Sequence, residues 1–324
     1  MFGIGRAIKT AAGSLLRPSA FAALFRGERK KAVFYGACHA IGVAKILQQQ
    51  SAFQKQYEAI ILPANFSMNS EQLAHAREHI LPHADLFIYQ PYTGVGRQEF
   101  STADFLKRLK PSAQSIRFAY PHCEIYQPFT YYPVEGLPAF TSSYIDYAFG
   151  RAILDGMKPS EIVAHYRHQG LLTNYADQLL PLNLRELRDR ENRVLPGDLP
   201  IQVTCSDIVE RDFRSKHLFL TMNHPSVALL NEVARRICEL IPLPFNPVSQ
   251  EVLSYPVLPI PSYVRDALGL EFAAPDVQPG NYYELMASYF MGVDPKAFDA
   301  AVAHLSNTRP WFQQLAATNL VRHI

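Results

Sequence analysis

No run in this 324-residue chain approaches the ~18 uninterrupted apolar residues of a membrane-spanning helix, which argues against an integral membrane protein. Cysteine is scarce. Cys38, Cys123, Cys205 and Cys238 are scattered with no C-x-x-C pair, so neither a zinc ribbon nor a thioredoxin-type site is expected. Four cysteines over this length do not make a disulfide scaffold, and a reducing compartment is the simpler expectation. Internal repeats and low-complexity tracts are missing too. Residues 1–31 hold seven basic side chains (Arg6, Lys9, Arg17, Arg26, Arg29, Lys30, Lys31) against Glu28, whereas the remainder carries 24 basic and 28 acidic residues. A basic body that would track nucleic acid is therefore absent. What the chain does have is apolar material: 48% hydrophobic against 19% charged residues supports a sizeable core and excludes global disorder.

Residues 1–30 form a basic amphipathic leader, in which Phe2, Ile4, Ile8, Leu15, Leu16, Phe21, Leu24 and Phe25 mix with Arg6, Lys9, Arg17 and Arg26. Arg17 and Pro18 interrupt the apolar stretch, so it does not read as a signal peptide. Such a segment can lie in the interface of an anionic membrane or pack as a structural arm.

From residue 31 the pattern alternates. Ala32–Tyr35, Tyr57–Leu62, Leu86–Gln90 and Ser115–Ala119 read as short apolar strands, separated by helical periodicity through Ile41–Leu47, Ser70–Ile80 and Ser101–Leu109. This implies βαβ units and a parallel sheet of about four strands with flanking helices. Residues 121–138, rich in aromatics and proline, read as an ordered loop, and helical patterns dominate afterwards. The expected fold class is α/β, with a helix-rich second half packed on the sheet. The expected divisions are 1–30 (leader), 31–135 (α/β core carrying Cys38) and 136–324 (helix-rich portion completing the site).

In an open parallel sheet, ligands gather at the carboxyl ends of the strands. Those ends carry Gly36-Ala37-Cys38-His39, Pro63-Ala64-Asn65, Gln90-Pro91-Tyr92 and Tyr120-Pro121-His122. Cys38 follows a tight strand-to-helix turn, where a helix N-terminus favours thiolate and its N–H groups can receive an oxyanion. The bland alternative is a small buried hydrophobe, the default for the other three cysteines. A base is expected from elsewhere. His224, in the turn Asn223-His224-Pro225-Ser226 before a helix, is placed for that role or for a solvated cap. This layout is analogous to SGNH-type esterases. His39 is a second candidate base.

The segments VFYGACHA, DLFIYQPY, SSYIDYAF and LFLTMNHPS, spread over about residues 31–240, resemble the WcbI family of capsular-polysaccharide biosynthesis proteins. The resemblance implies an acetyltransferase that binds coenzyme A and decorates a surface polysaccharide. In that turn the family would have Gly-Asn-Cys-Gln, where this chain has Gly36-Ala37-Cys38-His39. The residues expected to serve catalysis are Cys38, His39 and His224. Those expected to meet coenzyme A or substrate are Gly36, Asn65, Gln90, Tyr92, Gly94, Gly96, Arg97, Tyr120, His122 and Asn223. Among them, Thr93-Gly94-Val95-Gly96-Arg97 offers backbone N–H groups and a guanidinium for phosphates, although Glu99 leaves a Gly-x-Gly-x-x-Gly pattern incomplete. Arg117 and the Lys216–His217 pair are further cations.

The leading expectation is transfer of acetyl from acetyl-coenzyme A, with no metal, to a glycan precursor. Its rivals are a Cys/His esterase or thioesterase and a non-catalytic glycan-binding assembly protein that stacks Tyr92, Tyr120, Tyr126, Tyr131 and Tyr132 on sugars. His75-Ala-Arg-Glu78-His79 matches a zinc-peptidase pattern but reads as an ordinary solvated helix. The resemblance and the leader together imply a cytoplasmic protein, with residues 1–31 touching the inner membrane peripherally.

Overall fold

Four short strands, the central two almost continuously buried and apolar, organise the first half of the chain. The computed structural model describes residues 29–93, 98–141, 143–165, 172, 175–253, 257–273 and 281–317. Strand β1 (Lys30–Tyr35) is followed by helices α1 (Cys38–Leu47) and α2 (Ser51–Gln56), then β2 (Tyr57–Ile61). After α3 (Ser70–His75) come β3 (Leu86–Tyr89), α4 (Thr102–Leu106) and β4 (Gln114–Arg117). All pairings are parallel, in the order β2-β1-β3-β4, with Val33 opposite both Ile60 and Phe87, and Ile88 opposite Ile116. Ala32–Tyr35 and Leu86–Tyr89 have no exposed surface, as both-face burial of a parallel sheet requires.

The strand order reverses between β1 and β3. This is the switch point at which the loops after two neighbouring strands diverge and leave a crevice. The loops that meet there begin at Gly36 and Gln90.

Two helices differ from the sequence expectation. The segment expected as Ser101–Leu109 is only Thr102–Leu106, and the chain turns before Pro111. Ser101 does cap it, its hydroxyl accepting from Asp104 N–H at 3.3 Å. The segment expected as Ser70–Ile80 starts behind a capping box of Asn69 and Gln72, then widens into a π-turn at Ala76–Ile80.

The second half is helix-rich. Helices α5 (Tyr147–Leu154), α6 (Pro159–His165), α7 (Ala176–Asn192), α8 (Ser206–Asp212) and α9 (Val227–Leu240) precede α10 (Ser262–Leu268), α11 (Asn281–Met291), α12 (Pro295–Ser306) and α13 (Gln313–Ala317). None of the described helices is long and apolar enough to cross a membrane.

Contacts divide the described chain into two interleaved units. One comprises the residues up to 121 with 187–208 and 224–253, and the other comprises 122–186, 209–223 and 257 onward. In the first, α9 packs on α1, and Gly42 permits the approach: a Cβ there would lie 2.9 Å from Leu230 Cδ1 and 3.3 Å from Leu253. In the second, a short antiparallel pair sets Thr130 opposite Asp146 ahead of α5, and Arg309 forks onto Glu124 with both contacts at 2.6 Å. The leader to residue 28 lies outside the described residues.

Candidate active site

The first unit gathers its reactive groups around the start of α1. Gly36 turns the chain out of β1 with φ +153°, and a Cβ there would fall 2.8 Å from Gln90 Oε1, so only glycine fits. Ala37 is the N-cap of α1 and makes no side-chain cap, so the helix presents its first-turn N–H groups beside Cys38 without a competing side chain. A carboxamide at this N-cap position could bond those groups. With alanine there, the helix-end donors are left to other partners.

Cys38 and His39 are buried, and His224 enters the same region just ahead of α9. Ser226, not Asn223, caps that helix, its hydroxyl accepting from Ala228 N–H at 3.2 Å. Burial pushes the Cys38 thiol up. The His39 charge and hydrogen bonds from His224 and His39 pull it down harder, and it settles at about 5 instead of 9. Cys238, by contrast, is raised to about 11 by burial and then by Glu239, and Cys123 and Cys205 are buried and form no disulfide. Cys38 is thus set apart from Cys238 by its charge environment, since both are buried.

Gln90 ties the two switch-point loops together. Its Oε1 accepts from Ala37 N–H at 3.1 Å, and its Nε2 donates to Ala119 O at 3.3 Å. These partners fix the amide's orientation, and Nε2 then lies 3.2 Å from His39 Nδ1. While His39 is neutral, Nδ1 accepts and the ring proton resides on Nε2. Tyr120 closes the other side of His39, with its ring edge-on at 4.6 Å. Asn65 is half-buried and donates its backbone N–H to Gly36 O at 3.0 Å, while Tyr92 bonds through its main chain to Thr102.

The first unit therefore brings together Gly36, Cys38, His39, Asn65, Gln90, Tyr92, Tyr120 and His224. His122 and Asn223 fall in the second unit, with partners of their own. His122 Nε2 lies 3.8 Å from Glu124, and Asn223 accepts from Tyr144 OH at 2.5 Å and donates to Tyr132 OH at 2.7 Å. Gly94, Gly96 and Arg97 lie outside the described residues. The further cations fare differently from one another. Lys216 pairs with Asp212 at 3.0 Å and His217 stacks on Phe272 at 5.1 Å, so neither is arranged as a phosphate ligand. Tyr126 is buried, its hydroxyl donating to Phe213 O at 2.6 Å, so it offers no face to a sugar. His75 and His79 stack at 5.1 Å, and no group of three or more metal-ligating side chains occurs among the described residues.

Sequence reasoning missed a cationic cavity of about 200 Å³ in the same unit, where Arg190 and Arg193 join Arg117, Tyr92 and Tyr120. Arg117 is buried at the end of β4 and donates to Leu199 O and to Arg193 O (2.9 Å), with Asp198 at 4.0 Å. Asp198 in turn accepts from Tyr89 OH at 2.5 Å and Thr102 Oγ1 at 2.6 Å, which fixes the carboxylate behind the guanidinium.

A thiol at a helix N-terminus, hydrogen-bonded to two imidazoles at the switch point of a parallel sheet, is an arrangement that can supply a nucleophile. The family profile described as "Polysaccharide biosynthesis enzyme WcbI" matches residues 31–246. The chain belongs to the WcbI family. A solved WcbI structure shares the fold, with a TM-score of 0.78 at 23% identity over 90% of this chain and 99% of that one. It is described as the native form of a polysaccharide biosynthesis enzyme, without the disulfide bond between CoA and one of its cysteines. A search of curated proteins gives no match. The WcbI profile spans β1 to the end of α9, and so takes in both Cys38 and His224.

Proposed function

We propose that this WcbI-family protein is an O-acetyltransferase that moves an acetyl group from acetyl-CoA to a sugar hydroxyl during capsular or surface polysaccharide biosynthesis. The observation that carries the reading is the Cys38 thiol, ionised from about pH 5 upward between His39 and His224 at the start of α1. The family supplies the polysaccharide context, and the CoA named for the related structure supplies the donor class.

Cys38 Sγ attacks the acetyl carbonyl carbon, and the charge that develops on oxygen meets the first-turn N–H groups of α1. The bond from carbonyl carbon to CoA sulfur breaks, and that sulfur leaves with a proton from the neighbouring imidazolium. His224, now neutral, takes the proton of the sugar hydroxyl as its oxygen attacks the acetyl-cysteine, and Cys38 leaves as thiolate. One thioester is exchanged for another and then for an ester, so no oxidant or reductant is needed. Residues 1–31 would hold the protein reversibly to the cytoplasmic face of an anionic inner membrane.

Calorimetric titration with CoA and acetyl-CoA tests the donor assignment. Micromolar binding of both, retained in Cys38→Ala, is expected. Failure of either to bind would turn the reading towards hydrolysis of another ester.

A further inference from the structure

The arginine cavity adjoins the reaction centre without entering the chemistry just described. Tyr120 is the wall between them, lining the cavity while its ring meets His39 edge-on at 4.6 Å. Among the described residues no carboxylate lines the cavity, whereas three guanidiniums do. Arg117 is pre-organised there: two carbonyls and Asp198 fix its plane before any ligand arrives. Planar guanidinium forks match the paired oxygens of a phosphoryl group, and Tyr92 and Tyr120 provide flat walls suited to a sugar ring.

We propose that this cavity binds the phosphoryl group of a glycosyl phosphate, so that the acetyl acceptor is an activated, phosphate-bearing sugar and not a finished neutral polysaccharide. The inference rests on Cys38 as the acyl-transfer nucleophile, and position carries it further. A glycosyl phosphate holds its hydroxyls within one pyranose ring of its phosphorus. A phosphate among Arg117, Arg190 and Arg193 therefore leaves the sugar against Tyr120, the residue that contacts His39. The phosphates of CoA are separated from its sulfur by the whole pantetheine arm, whereas the phosphate of a glycosyl phosphate stands one ring away from the hydroxyls to be acetylated. About 200 Å³ also exceeds what a lone phosphate fills. Acetylation would then follow the reaction class that installs phosphate on the sugar's anomeric carbon and precede glycosyl transfer, for which that phosphate is the leaving group.

The test is calorimetry on the full chain, with D-glucose 1-phosphate, D-glucose and CoA as probes, against Arg190→Ala/Arg193→Ala. Arg117 is left intact because it pins the backbone at Leu199 and Arg193. Glucose 1-phosphate is expected to bind the double variant roughly tenfold or more weakly than the unaltered protein, with Arg190→Lys/Arg193→Lys in between. CoA affinity is expected to change less than about twofold. Loss of CoA affinity with glucose 1-phosphate unaffected would overturn the proposal and assign the cavity to the donor. Glucose binding as tightly as its phosphate, or no binding of glucose 1-phosphate at all, would overturn it as well. Acetyl labelling of Cys38 without acceptor is measured in parallel. If labelling persists while the acceptor prediction fails, only the acceptor assignment is lost.

Discussion

Replacing His224 with alanine should raise the titration midpoint of Cys38, although less than loss of His39, whose charge is the strongest influence lowering it. Against the upward push of burial, the His39 charge lowers the thiol most, and a hydrogen bond and a charge from His224 help to bring it to about 5. An opposite charge within hydrogen-bond reach shifts a pKa by roughly 1 to 3 units, so the midpoint of His224→Ala should rise by about 1 to 3 units. At pH 6 that takes the thiolate fraction from roughly 90% to roughly 50% or below. The alkylation rate at a single pH would understate the change, because a more basic thiolate is intrinsically more nucleophilic. The pH midpoint of iodoacetamide alkylation, or of thiolate ultraviolet absorbance, is therefore the quantity to follow. A midpoint still near 5 in His224→Ala would refute the pairing, and His39 with the helix terminus would have to carry the whole effect.

Gly36→Ala sets a Cβ 2.8 Å from Gln90 Oε1 at φ +153°, and should cost about 1–3 kcal/mol in urea denaturation while displacing Gln90 from Ala37 N–H. Ala37→Asn should restore a side-chain cap to α1 and raise stability by about 0.5–1 kcal/mol, read from the same urea midpoints; no gain would mean that the side chain cannot reach the first-turn N–H groups. Asp146, buried at the start of α5, is raised to about 6 by burial although Ala148 and Phe149 N–H bond to it. Its folded pKa exceeds its unfolded one, so the folded state holds the proton more tightly and stability falls as pH rises from about 4 to about 6. Asp146→Asn keeps the accepting oxygen, and should gain about 3 kcal/mol on the unaltered protein between those pH values; parallel pH profiles would contradict this.

The sheet was legible because its two central strands, β1 and β3, are buried on both faces and read as unbroken apolar runs. Val33–Phe34 and Phe87–Ile88 carry that signal without help from tertiary context. Cys38 and His224 could be singled out for another reason: each stands in a turn beside a helix start and not on the packed face of a helix. Gln90 was placed at the correct edge by topology, but its bridging of Ala37, Ala119 and His39 depends on rotamers that no sequence pattern specifies. Arg190 and Arg193 could not be found by such reasoning. They lie at the end of an acidic and basic stretch that reads as a solvated helix face, and only the return of 187–208 to the first unit brings them to Arg117. Asn223 is likewise placed by contacts that no sequence pattern specifies. Its neighbour His224 turns towards Cys38, whereas its own amide is taken up by Tyr132 and Tyr144.

The central claim is that Cys38 carries the acetyl group between donor and sugar. Rapid-quench mass spectrometry of the full chain mixed with labelled acetyl-CoA in the absence of acceptor tests it most directly. The account predicts one acetyl group per chain, mapped to the Cys38 peptide, formed across pH 6–8 and absent from Cys38→Ala. Donor that binds and turns over on added acceptor with no label ever appearing on Cys38 would contradict it.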